Sequence, residues 1–112
     1  MPKGDILGEF EQVVLLALGR LGEEAYGTRI RSEIADRAAR EVTIGSLYSA
    51  LDRMERKGYV SSRLGDPTPE RGGKAKRYYR LEIPGLHALN RQREILDRLW
   101  EDLELDPERF AR

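Results

Sequence analysis

The run Arg71-Gly72-Gly73-Lys74-Ala75-Lys76-Arg77-Tyr78-Tyr79-Arg80 holds five cations and no carboxylate. Lysine and arginine at that density neutralise phosphates, and an arginine can also enter a narrow minor groove. The paired glycines let the backbone approach a bound group closely. A solvated basic loop has the same composition, so the run gains meaning only from a second element beside it. That element lies upstream, between Thr43 and Arg56. Wound at 3.6 residues per turn, it places Ile44, Leu47, Leu51 and Met54 on one apolar stripe and leaves Gly45, Ser46, Ser49, Asp52, Arg53 and Arg56 on the other side. Small residues let a helix sit deep in a major groove, and a serine hydroxyl donates or accepts, so it reads base edges weakly. Arg53 and Arg56, later in the helix, suit phosphates. Tyr48, at the border of the stripe, can pack its ring while its hydroxyl reaches a phosphate. A solvated helix face would carry the same residue types. The candidate DNA-contacting set is Gly45, Ser46, Tyr48, Ser49, Arg53 and Arg56 on the helix, with Arg71, Gly72, Gly73, Lys74, Lys76 and Arg77 on the basic run.

Other chemistries lack their parts. There is no cysteine and a single histidine, His87, so thiolate or histidine metal sites and Cys/His nucleophiles are excluded. The serines follow no nucleophile-elbow pattern. The carboxylates interleave with Lys and Arg, as on solvated helices. We expect no enzyme activity and no cofactor. Twenty basic residues balance 20 acidic ones, which argues against indiscriminate nucleic-acid binding. The charge is nevertheless sorted along the chain. Residues 61–80 carry six cations against two carboxylates, and residues 82–112 carry five against eight. The 112 residues, 39% hydrophobic and 36% charged, suffice for one modest core. No apolar stretch of about 18 residues and no basic-then-apolar leader is present, so a soluble cytoplasmic protein without membrane contact is expected.

The elements that must position these residues follow from periodicity and punctuation. Met1–Asp5 reads as a frayed start. Glu9–Leu21 is apolar around nearly its whole circumference, as in a buried helix. A second helix spans about Tyr26–Ala39, with Ile30, Ile34 and Ala38 on one face. Thr43 offers an N-cap for the third helix, Val42 and Leu47 have hydrophobic-staple spacing, and Gly58 suits a left-handed stop. Tyr59–Leu64 and Lys74–Leu81 have strand character and flank the Gly- and Pro-rich stretch 65–73, which makes a hairpin. Pro84 opens a last helix that runs to about Leu103. The fold class is mainly α with a small β-hairpin: a winged helix-turn-helix over residues 6–82, then a C-terminal dimerisation helix over 83–105.

In that last helix Leu89, Leu96 and Leu103 recur at seven, with Ile95, Leu99 and Trp100 beside them. This is a coiled-coil-like seam suited to a homodimer, the alternative being packing on its own domain. A dimer would set two recognition helices one DNA turn apart.

Taken together, Leu7-Gly8-Glu9-Phe10-Glu11, Ala25-Tyr26-Gly27, Gly45-Ser46-Leu47-Tyr48-Ser49-Ala50-Leu51, Glu55-Arg56-Lys57-Gly58-Tyr59-Val60 and Gly72-Gly73-Lys74-Ala75-Lys76-Arg77-Tyr78-Tyr79 resemble the PadR family of bacterial transcriptional regulators, over about Leu7–Leu89. The resemblance implies a winged-helix repressor that binds double-stranded DNA as a homodimer at an inverted repeat. It implies a C-terminal helix that often packs on the partner's first helix, which adds Phe10 to the interface set of Leu89, Ile95, Leu96, Leu99, Trp100 and Leu103. It is to the short members, which lack the large C-terminal domain of longer ones. Some relatives take a small planar or cationic effector at the dimer interface, where Trp100 could cover it or simply pack. Tyr26 and Tyr79 match positions that look structural. Glu82-Ile83-Pro84-Gly85 departs from the threonine-type cap more usual before the last helix. The rival reading is a winged-helix protein-interaction module without DNA binding.

Overall fold

A computed structural model describes residues 6–66 and 75–110. Four main helices and a hairpin follow in the order α1 (Glu9–Leu21), α2 (Gly27–Ala38), α3 (Ile44–Arg56), β1 (Val60–Leu64), β2 (Arg77–Leu81) and α4 (Ile83–Trp100), then a one-turn helix, α5 (Pro107–Phe110). The Met1–Asp5 expectation lies outside the described residues.

Each boundary has a local cause. The Gly8 backbone opens α1 while the Glu11 carboxylate accepts from Gly8 N at 3.0 Å, and Gly22 closes it at φ 59. Ala39 ends α2 in the left-handed region, at φ 51. Thr43 caps α3 as its sequence implies, its hydroxyl accepting from Ser46 N at 3.1 Å. Gly58 turns the chain out of α3 at φ 80. Pro84 lies in the first turn of α4, where a missing N–H costs nothing. No side chain caps that helix. Glu82, at the cap position, instead accepts from the Ser61 hydroxyl at 2.5 Å.

The hairpin is antiparallel, with Val60 opposite Leu81, Ser62 opposite Tyr79 and Leu64 opposite Arg77. A third extended segment joins it. Tyr26 bridges Tyr78, and Tyr79 N donates to Ala25 O at 2.8 Å. β2 is thus paired on both sides, which fixes the root of the wing to the start of α2. The core beneath combines Val14, Leu15 and Leu18 of α1, Ile30 and Ile34 of α2, Leu47, Leu51 and Met54 of α3, and Tyr59, Val60 and Tyr79 around the hairpin. Val42 is buried with Leu47, as staple spacing requires.

Three expectations change. α1 is not buried all round: Leu16 is 55% exposed. In α3 the buried stripe is Leu47, Ala50, Leu51 and Met54, and Ile44 is 41% exposed, because the helix rolls its first turn away from the core. α4 stops at Trp100 instead of Leu103, since Asp102 turns the chain at φ 57. The core also continues beyond residue 82. Gly85, Ala88 and Leu89 on the first turns of α4 are buried in it. Beyond them α4 projects. The radius of gyration is 17.1 Å, against about 13 Å for a compact chain near this length.

Candidate nucleic-acid interface

α3 and the hairpin root share one surface. Gly45, Tyr48, Ser49 and Asp52 of α3 line an open groove whose other wall is Leu64, Ala75, Arg77 and Tyr79. A neighbouring hollow joins Ile44 and Tyr48 to Lys76 and Arg77. Of the sequence-derived set, Gly45, Tyr48, Ser49, Lys76 and Arg77 are therefore brought together. Arg71, Gly72, Gly73 and Lys74 lie outside the described residues.

Packing of aromatic rings sets this geometry. The Tyr48 ring, at the edge of the groove, lies 6.3 Å from that of buried Tyr79. Tyr26 meets Tyr78 edge-on at 5.4 Å, and Lys76 Nζ stands 4.0 Å from the Tyr26 ring centroid. Arg63 lies over Tyr78 at 4.8 Å. The tyrosines pack in and against the sheet, and two of them carry cations on their outer faces. Burial raises the Tyr79 hydroxyl's pKa above its ordinary value, with a further push from Tyr48, Glu55 and Asp52 that outweighs the opposing pull of Arg77.

The remaining sequence-derived residues have other engagements. Ser46 is drawn into the α3 cap, its hydroxyl 2.7 Å from that of Thr43 and donating to Thr43 O at 3.1 Å. Arg53 reaches back to Glu11 of α1 at 3.7 Å, and Arg56 pairs with Asp52 at 2.6 Å. The Arg56 pair has i,i+4 spacing and was readable in the sequence. The Arg53 pair joins two helices and was not. Sequence reasoning also missed Ser62 and Glu55. Ser62 Oγ donates to Glu55 Oε2 at 2.8 Å and accepts from Arg77 Nη1 at 3.0 Å. Strand alternation with buried Val60 was the available signal, since it turns Ser62 toward α3.

The second candidate surface is α4. Ile95, Leu96, Leu99 and Trp100 are exposed, Leu99 at 68% and Trp100 at 56%, and so is Leu103 just beyond the end of the helix. Leu89 is not with them: it is 9% exposed and packs in the domain's own core. Phe10 is partly buried against that core, with the Arg40 guanidinium 5.0 Å from its ring centroid. Among the described residues no cluster of His, Asp or Glu could hold a metal, and no helix is long and apolar enough to cross a membrane.

No curated protein matches the chain. Solved structures do. A transcriptional regulator from Clostridium thermocellum shares 25% identity over 81% of this chain and 85% of that one, with a TM-score of 0.66. A PadR family transcriptional regulator from Eggerthella lenta shares 27% over 88% of each chain, with a TM-score of 0.61. A PadR family regulator from Clostridium difficile has the same fold, with a TM-score of 0.66 over 85% of this chain and 97% of that one, at 21% identity. The sequence model of the transcriptional regulator PadR-like family matches residues 14–91, from α1 into α4. With the winged helix-turn-helix and this match in hand, the chain belongs to the PadR-like family of transcriptional regulators.

Proposed function

We propose that the protein is a repressor that binds an inverted-repeat operator as a homodimer. The observation that carries the reading is the shared groove: Gly45, Tyr48 and Ser49 of α3 face the same opening as Arg77 of the hairpin. A helix with small residues at its leading turn suits the major groove, and the cations beside it suit the flanking backbone. Lys76 and Arg77 lead into the basic tip, where Arg71 and Lys74 extend the same charge in the sequence. The second half of α4 supports the dimer. Its row of exposed apolar residues, Ile95, Leu96, Leu99 and Trp100, has no cover among the described residues. Dimerisation would bury them and pair two reading surfaces.

The test is a salt-dependent gel shift on the protein's own promoter region against a scrambled duplex. An Arg71→Ala/Lys74→Ala variant is run beside the wild type. The reading expects preference for the promoter, a dimer's stoichiometry, and a wing variant with weaker binding and a salt slope reduced by about four, two cations from each subunit. Absence of any preference, there and in a genome-wide binding selection, favours a winged-helix protein-interaction module instead.

A further inference from the structure

Arg77 is held before any ligand arrives. It stands on β2 opposite Leu64, on the wall of the groove that faces α3. Its guanidinium has only donors, so the 3.0 Å contact with Ser62 makes the serine oxygen the acceptor. The single Ser62 hydroxyl proton is then free for Glu55 Oε2, 2.8 Å away on α3. The polarity of the chain is fixed at both ends: cation, hydroxyl, carboxylate. It crosses from one strand to the next and on to the helix. Asp52, one turn earlier on α3, lines the same groove. Arg77 therefore faces carboxylates from α3 as well as any DNA in front of it.

We propose that Ser62 and Glu55 are positioning residues that latch Arg77, coupling the wing to α3 and making DNA binding more selective. This rests on the DNA-binding reading above. A free arginine at a groove wall attaches to any phosphate and adds sequence-independent affinity. A latched one has part of its charge already answered and its reach limited. It engages the backbone only when α3 is seated and the duplex lies at the matching angle. The latch thus lowers non-specific binding and keeps the wing in register with the helix that reads the bases.

The experiment measures fluorescence-anisotropy affinities for the promoter duplex and for a scrambled duplex of equal length across a salt series. The proteins are wild type, Ser62→Ala, Ser62→Thr, Glu55→Gln, Arg77→Ala and Ser62→Ala/Arg77→Ala, each checked for an unchanged thermal midpoint. Ser62→Ala is expected to bind scrambled DNA several-fold more tightly, with a salt slope steeper by about two, one Arg77 from each subunit. Its promoter-to-scramble ratio falls. Glu55→Gln moves in the same direction and Ser62→Thr stays with wild type. In the Arg77→Ala background, Ser62→Ala changes nothing further. Unchanged slope and ratio in Ser62→Ala would overturn the latch, as would an equal effect with and without Arg77. The two readings fail separately. A wild type with no preference for the promoter or for any duplex in the genome-wide selection sinks the operator reading, while the scrambled-duplex slopes still decide the latch. A wild type that binds neither duplex sinks both.

Discussion

Gln92 of α4 closes both backbone hydrogen bonds of Leu7. Leu7 N donates to Gln92 Oε1 at 2.6 Å, and Gln92 Nε2 donates to Leu7 O at 3.0 Å. One side-chain amide thus replaces a strand partner for a residue that is 3% exposed and 85 positions away. Next to it, Glu11 accepts from Gly8 N and approaches Arg53 of α3. The start of α1 is the joint at which the projecting α4 meets α3.

Removing the amide should therefore cost more than an average surface change. Gln92→Ala leaves a buried N–H and C=O without partners, and we expect a loss of about 1–3 kcal/mol. Gln92→Glu keeps the acceptor but sets a carboxylate against the Leu7 carbonyl, so it should fall at least as far at neutral pH. Urea midpoints of the three proteins check this.

Gly85 is a second joint between α4 and the sheet. A Cβ there would meet the Tyr59 carbonyl oxygen at 2.5 Å and Leu81 Cδ1 at 2.9 Å. Alanine gains up to about 1 kcal/mol of helix propensity over glycine. The backbone carbonyl cannot yield as a flexible side chain would, and overpacking costs about 1–3 kcal/mol. The clash outweighs the propensity. Gly85→Ala should lower stability by about 1–2 kcal/mol, read from the denaturant midpoint.

Ala39 offers the opposite case. It ends α2 at φ 51, a region where a Cβ is strained by about 1–2 kcal/mol. Glycine removes the strain but widens the unfolded ensemble, which returns about half of the gain. Ala39→Gly should raise stability by about 0.5–1 kcal/mol, seen as a higher thermal midpoint with unchanged DNA binding.

These joints also mark where the sequence was legible. The bounds of α1, the Thr43 cap, the Gly58 stop and the hairpin followed from local signals that act within a few residues. The end of α4 did not, because Asp102 takes a left-handed turn without a glycine to announce it. The exchange of Ile44 for Ala50 in the buried stripe reflects how α3 rolls against its neighbours, which periodicity alone does not set. The heptad of Leu89, Leu96 and Leu103 does not form one seam on α4: Leu89 belongs to the domain core and Leu103 lies beyond the end of the helix. In the candidate site, the types and positions of Tyr48, Ser49 and Arg77 were readable. The engagements of Arg53 with Glu11, and of Arg77 with Ser62, join separate elements and needed the fold.

Tyr79 makes the stability depend on alkaline pH. Burial holds its hydroxyl in the neutral form, with a pKa raised above the ordinary value near 10. The folded state therefore holds the proton more tightly than the unfolded chain. That contribution is complete below the unfolded value and is lost as pH rises through the higher folded one. Urea midpoints between pH 8 and 11 should fall more steeply for wild type than for Tyr79→Phe, the difference opening only near pH 10 and above. Parallel curves would show that the phenol does not contribute.

Gly27 links the fold to the groove between α3 and the hairpin. A Cβ at this buried first residue of α2 would overlap the Tyr48 hydroxyl and come within 3.2 Å of Tyr48 Cζ and 3.5 Å of Ile44 Cδ1. The overlapped atom is the tip of a side chain that is 41% exposed, so the ring can swing outward. Its way out is the groove between α3 and the hairpin. Gly27→Ala should then cost little stability, about 1 kcal/mol or less, because the strain is relieved into solvent. It should weaken promoter binding about tenfold, since the displaced ring occupies the space the DNA would enter. Tyr48→Phe removes the overlapping oxygen. If the mechanism is steric, the double variant regains most of the affinity lost by Gly27→Ala, and anisotropy titrations of the four proteins form the cycle that measures it. An additive double variant would mean instead that Gly27 acts on binding through something other than the Tyr48 ring.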